Sequence, residues 1–203
     1  MKSKERIRII KGYKQTIPIN YFNKAQQLRK DSYVKEGFYK EKDPAEDKYD
    51  SHAYHIIALN EEDSVIGCLR IIEEDMPLLC IYSEEISQLK KAFKPRRYAE
   101  VSGFAVSETY RIRNKKRVKR SVSLRMFRHL VLFALKRRIS MLFIAVHPKY
   151  RDRYIKHYGF QAYGQEKSYG NVHGNPAILM YLTSRGLFWL VLRNLVFWRK
   201  KKQ

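Results

Sequence analysis

The chain has 203 residues, of which 44% are hydrophobic and 13% aromatic, with only 6 Pro and 9 Gly. That suits one domain, or two small lobes sharing a core, and it excludes disordered, collagenous and repeat-array chains. Lys and Arg outnumber Asp and Glu by 42 to 20, a net charge of +22, so an acidic partner is expected, whether nucleic acid, anionic lipid or an acidic protein.

The first fourteen residues, MKSKERIRIIKGYK, have the basic start of an export signal without its apolar stretch or cleavage site, which reads as a cytoplasmic protein. Tyr21 to Lys30 follows a helical pattern, with Phe22, Ala25, Gln26 and Arg29 on successive turns and Tyr33 continuing it. Lys35 to Asp50 is a polar loop with Gly37 and Pro44 as breakers, long enough to suggest a functional role. Ala53 to Leu59 and Val65 to Ile72 read as an antiparallel hairpin across Asn60 to Ser64. Glu84 to Phe93 is a short helix and Tyr98 to Val106 another strand. A basic loop then leads to a helix from about Val118 to Arg138, with Val122, Phe127, Leu130, Val131, Ala134 and Leu135 on its apolar side. Met141 to Val146 fits a central strand covered on both faces, ended by His147-Pro148. A short helix to Tyr158, a turn at Gly159 and a last strand at Ala177 to Leu182 complete an α/β or α+β order.

The charge is unevenly spread. Residues 1 to 108 hold 19 basic and 18 acidic side chains, whereas 109 to 203 hold 23 basic and only Asp152 and Glu166. Between Thr109 and Arg151 there are 14 Lys or Arg and no carboxylate. A merely solubilising surface mixes both signs, so this stretch reads as a docking surface, densest at Arg111, Arg113, Lys115, Lys116, Arg117, Lys119 and Arg120.

No P-loop, dinucleotide fingerprint, zinc cluster or nucleophile elbow is present, and no bound metal or permanent cofactor is expected. Cys68 and Cys80 lie in strand-like apolar runs and read as two small buried core residues. His52 and His55 are three apart, which in a strand sets them on opposite faces and favours structural roles. Glu100 is a carboxylate inside an apolar strand, Ala99 to Val106. Burial raises a carboxyl pKa, which is how such a group becomes a base near neutral pH. The alternative is a structural pair with an arginine such as Arg70.

Glu100 to Arg113 (EVSGFAVSETYRIR), His147-Pro148, Tyr154, Gly159-Phe160 and Tyr169 to Ala177, with Asp47-Lys48-Tyr49-Asp50 and Gly67-Cys68-Leu69-Arg70 upstream, resemble the bacterial N-acyl amino acid synthases. These are relatives of acyl-homoserine-lactone synthases in the GCN5-related N-acetyltransferase fold, which implies a mixed, mostly antiparallel central sheet flanked by helices. The resemblance covers roughly residues 20 to 182. Residues 1–183 then form a single acyltransferase domain, with an N-terminal lobe to about 97 and a C-terminal lobe from about 98, followed by an amphipathic, basic tail at 184–203.

The resemblance implies transfer of a long fatty acyl chain from acyl carrier protein, through its phosphopantetheine arm, to the amine of an amino acid. Glu100 matches the family's strand carboxylate and is the candidate base. Backbone N–H groups at Phe104, Ala105 and Val106 are the oxyanion candidates, and Tyr154 is the candidate donor of a proton to the leaving thiolate, with a buried aromatic anchor as its alternative role. Asp47, Asp50 and Arg70 would shape the acceptor site, unless the aspartates only cap local turns. The chain has no glycine between Gly103 and Gly159, so the glycine-rich cradle that holds coenzyme A pyrophosphate in ordinary relatives is replaced by Lys and Arg, which suits an acidic docked protein. Relatives often carry Arg where this chain has Gly103, which argues against S-adenosylmethionine as acceptor.

The tail frames apolar residues between Trp189 and Trp198 and ends in Arg199-Lys200-Lys201-Lys202, a pairing suited to an anionic membrane surface. A terminal helix packed on its own domain or a dimer mate is the alternative. Its apolar part, Leu187 to Trp198 with Arg193 and Asn194 inside it, is short of the roughly 20 residues needed to span a bilayer. The rival readings are a nucleic-acid-binding module, disfavoured by the lack of any recognised nucleic-acid motif, a coenzyme A dependent acetyltransferase of the same fold, and a catalytically silent homologue.

Overall fold

A computed structural model describes residues 7–112 and 122–189. The elements in chain order are β1 (Arg8–Tyr13), α1 (Ile19–Lys35), β2 (Tyr54–Leu59), β3 (Val65–Ile72), α2 (Leu79–Phe93), β4 (Tyr98–Val106), α3 (Glu108–Ile112), α4 (Val122–Lys136), β5 (Met141–Val146), α5 (Arg151–Tyr158), β6 (Gln161–Tyr169) and β7 (Asn175–Thr183). Hydrogen bonding orders the strands β1-β2-β3-β4-β5-β7-β6. The β1–β2, β2–β3, β5–β7 and β6–β7 pairs are antiparallel, and β4–β5 is parallel. This is the expected mixed, mostly antiparallel sheet with helices.

The chain divides into two compact units, Met1–Glu73 with Val101–Leu130 and Glu74–Glu100 with Val131–Gln203. In the first, α1 buries Phe22, Ala25, Gln26, Arg29 and Ser32, spaced by three or four residues, as one helical face requires. Phe22 and Ala25 join Ile17, Ile57, Leu59, Cys68 and Ala105 in one core cluster. β2 and β3 are buried at nearly every position, the pattern of strands covered on both faces. The second cover is α4: a Cβ at Gly67 would stand 2.8 Å from Val122 and 2.9 Å from Met126, so only glycine admits the helix at this depth.

In the second unit, β5 and β7 supply Leu142, Phe143, Leu179 and Met180, all fully buried. α2 contributes Tyr82, Ile86 and Leu89. The helix kinks at Tyr82 (φ −116°, ψ 26°), whose hydroxyl donates to the Ala177 carbonyl at 2.6 Å.

The expected hairpin, β4, β5 and β7 are all present. α2 begins five residues earlier than its apolar spacing suggests, and β1, β6 and the short α3 go beyond the sequence reading. Cys68 is buried, but Cys80 is exposed in the first turn of α2, which corrects the expectation of two buried strand cysteines. The apolar run around Cys80 is the start of an amphipathic helix, and the thiol falls on its outer side.

Candidate active site

A buried network of charge occupies the first unit. The loop after α1 folds back on itself through Asp47 and Asp50: the Asp47 N–H donates to Asp50 Oδ2 at 2.8 Å, the Tyr49 N–H to Asp47 Oδ1 at 3.0 Å, and the Asp50 N–H to the Asp47 carbonyl at 3.1 Å. Arg29, from α1, donates Nη1 to Asp50 Oδ1 at 2.9 Å and Nη2 to Asp50 Oδ2 at 2.7 Å, and Nη2 also reaches the Ala45 carbonyl. Arg70, from β3, donates Nη1 to Asp47 Oδ1 at 2.6 Å and to Asp50 Oδ1 at 2.8 Å, while its Nε donates to Ser102 Oγ on β4 at 3.0 Å. The two aspartates therefore both brace the loop and hold the arginines.

Burying these ions is tolerable only because they are paired. Burial pushes the Asp50 carboxyl upward, but the Arg29 hydrogen bonds and the charges of Arg29 and Arg70 outweigh it and hold the group well below the usual carboxylate range. Burial likewise works against the Arg70 charge, and Asp47 and Asp50 more than offset it. Cys68, beneath the network, is pushed up to about 11 by burial. His55 is driven down by burial and meets the Asp50 carbonyl through Nε2 at 3.0 Å, a structural contact. His52 edges onto Tyr49.

Gly103 lies over this network in a left-handed conformation (φ +62°) within β4. A Cβ there would stand 3.3 Å from Arg29 Cδ, Arg29 Nη1 and Arg70 Cγ. The bare backbone is thus what allows the two arginines to close over the strand.

Glu100, in the second unit, is only 2% exposed. It is the last β4 residue paired with β5, opposite Phe143, and its Oε2 accepts the Leu78 N–H at 2.9 Å at the start of α2. Helix N-termini carry partial positive charge, so this carboxylate is oriented and electrostatically supported. Tyr154, on α5, packs its ring against Tyr158 and Phe160 at 5.4 and 6.0 Å.

Of the oxyanion candidates, Phe104 packs edge-on against Phe127, and Ala105 and Val106 are buried. On the same strand, the Gly103 carbonyl accepts the Cys68 thiol at 3.6 Å. The Val106 carbonyl accepts Arg111 Nε at 2.6 Å, and Arg111 also pairs with Glu36 at 3.3 Å. Arg113, Lys115, Lys116, Arg117, Lys119 and Arg120 lie outside the described residues. Among the described residues, no group of three or more His, Cys, Asp or Glu is arranged to hold a metal ion.

Arg29 is the residue whose role the sequence left unread. Its signal was present, since a charge on the apolar stripe of α1 must find a partner inside.

A family model described as N-acyl amino acid synthase FeeM matches residues 24–183. The chain belongs to this family. Among solved structures, FeeM itself, from uncultured soil microbes, is 21% identical, with a TM-score of 0.70 over 91% of this chain and 93% of its own. The acyl-homoserine-lactone synthase LasI is 16% identical, with a TM-score of 0.62 over 87% and 90%. BjaI, a coenzyme A dependent acyl-homoserine-lactone synthase solved with MTA, is 18% identical, with a TM-score of 0.61 over 94% and 89%. At these identities the structural likeness establishes the fold. No curated protein matches the chain. As a member of the FeeM family, the chain is an N-acyltransferase.

Proposed function

We propose that this FeeM-family chain moves a long fatty acyl group from an acyl carrier protein thioester to the amine of an amino acid. The observation that carries the reading is the Glu100 carboxylate, buried on β4 and held by the Leu78 N–H, in a chain matched by the family model over residues 24–183.

Glu100 takes a proton from the acceptor's ammonium, directly or through water. The freed amine attacks the thioester carbonyl, and backbone N–H groups between Phe104 and Val106 steady the developing oxyanion. Collapse of the tetrahedral species breaks the C–S bond and expels the phosphopantetheine thiolate, which Tyr154 protonates; the second proton of the attacking nitrogen leaves through water and restores Tyr154, so that the neutral amide remains. Asp47, Asp50 and Arg70 orient the acceptor, with Asp47, the most exposed member of the network at 29% for its side chain, at its accessible edge. The stretch Arg111 to Arg120 docks the acidic carrier protein. The chain works in the cytoplasm, and the tail at 184–203 rests on an anionic membrane face. Phe188 and Trp189 are exposed, 190–203 lie outside the described residues, and no described helix is long and apolar enough to cross a membrane.

Incubating the chain with amino acids and, in parallel, acyl carrier protein or coenzyme A thioesters of one fatty acid tests this by mass spectrometry. An N-acyl amino acid formed faster from the carrier, and lost in Glu100→Gln, supports the reading. Faster transfer from coenzyme A would move the donor to that class, and no amide from either donor would overturn the reaction.

A further inference from the structure

Arg125, Arg128 and His129 stand at i, i+3 and i+4 on α4 and so share one face of the helix. Arg125 Nη1 donates to the Ile7 carbonyl at 3.1 Å, which ties this face to the β1 end of the first unit. Lys11 of β1 and Arg128 are exposed, and Arg125 and His129 are half-buried. The His129 Nδ1 atom is buried with no hydrogen-bond partner among the described residues. The charges acting on the ring are Lys11 from β1 and Arg128 and Arg125 from α4, all cationic; with burial as the larger cause, they hold it below the usual histidine range. An imidazole in such a field stays neutral until an anion arrives to reverse it.

We propose that Lys11, Arg125, Arg128 and His129 form a docking surface for the acidic helical face of the donor's carrier protein, with His129 taking up a proton as the partner seats. This rests on the carrier-dependent reading above and extends it beyond Arg111 to Arg120, since Arg125 comes five residues later in the chain. Four groups from one strand and about one turn of helix make a compact cationic patch, which matches a small acidic protein face. A duplex would need a track of phosphate contacts. A bilayer would need a long apolar face.

Protonation on docking gives the surface a direction in pH. Carboxylates seated against His129 raise its proton affinity, so binding takes up a proton and tightens as the pH falls from 8 toward 6. The full chain would be titrated with fluorescently labelled holo-acyl carrier protein at pH 6 and pH 8, as wild type, as Lys11→Glu/Arg128→Glu and as His129→Gln. Transfer from an acyl-N-acetylcysteamine thioester, which has no carrier, checks that each variant is folded and active.

The double reversal should weaken carrier binding ~10-fold or more with carrier-free transfer unchanged. His129→Gln should flatten a pH dependence of about threefold or more. Unchanged binding in the double variant overturns the surface while leaving the donor reading standing. A wild-type chain that transfers equally well from carrier and carrier-free thioesters and binds no carrier overturns both. Binding to vesicles of anionic lipid or to random duplex DNA that the same reversal abolishes, with carrier binding intact, reassigns the surface and overturns the inference.

Discussion

The Arg29 guanidinium grips the Asp50 carboxylate with both terminal nitrogens, at 2.9 and 2.7 Å, and neither side chain is appreciably exposed. Arg29 comes from α1 and Asp50 from the loop that follows it, so the pair closes that loop against its own helix. Arg70 then binds the same carboxylate from β3. Removing one partner strands a buried charge, and Asp50→Asn should cost about 3–5 kcal/mol, read as a shift in urea midpoint.

The same pair gives a pH signature. A carboxyl depressed in the folded state stabilises fully above its unfolded pKa of about 3.9, and that contribution is lost as the pH falls toward the folded value. Asp50 is held well below its usual range. Wild type should therefore lose stability progressively below about pH 5, and Asp50→Asn should show a shallower loss. Thermal melts between pH 3 and pH 7 compare the two.

Glu100→Gln keeps an oxygen able to accept the Leu78 N–H but cannot take a proton from the acceptor. We expect a fall in kcat of roughly 10²- to 10⁴-fold with little change in melting temperature. A variant that melts normally and transfers normally would remove Glu100 from the reaction.

Gly103→Ala tests the closure of the arginines. A left-handed non-glycine residue costs about 1–2 kcal/mol, and its Cβ presses on Arg29 and Arg70 at 3.3 Å. The variant should lose stability and raise the acceptor KM more than it lowers kcat, because the added methyl presses on both arginines that hold Asp50, and Arg70 among them orients the acceptor.

The two thiols should separate cleanly. Cys80 is exposed, whereas Cys68 is buried and its thiol is pushed up to about 11. Labelling the folded chain with a thiol reagent should consume one equivalent quickly and the second only on unfolding.

What the sequence made legible follows from physics rather than from chance. β2, β3, β5 and β7 are buried on both faces and read as apolar runs. The strands that escaped notice, β1 and β6, are the two edges of the sheet, where alternation is weak and polar residues are tolerated. Position Glu100 was legible because a carboxylate in an apolar strand is anomalous. Arg29 was not, because one-dimensional spacing shows that a charge faces the core without showing what meets it. The same limit hid Leu78, whose part is played by its backbone N–H.

One edge also bears on how the protein behaves at high concentration. In β6, the register breaks between Tyr163 and Lys167, so that Gly164, Gln165 and Glu166 stand against the single Ile178 of β7, and Lys167 is drawn to Glu85 on α2. A second chain approaching this strand meets an interrupted row of backbone donors and acceptors with a carboxylate set into it, which is a poor template for strand addition. The irregularity thus acts as a guard against fibre growth. Straightening it by deleting Gly164 and Gln165 would restore a continuous ladder and with it a route to self-association.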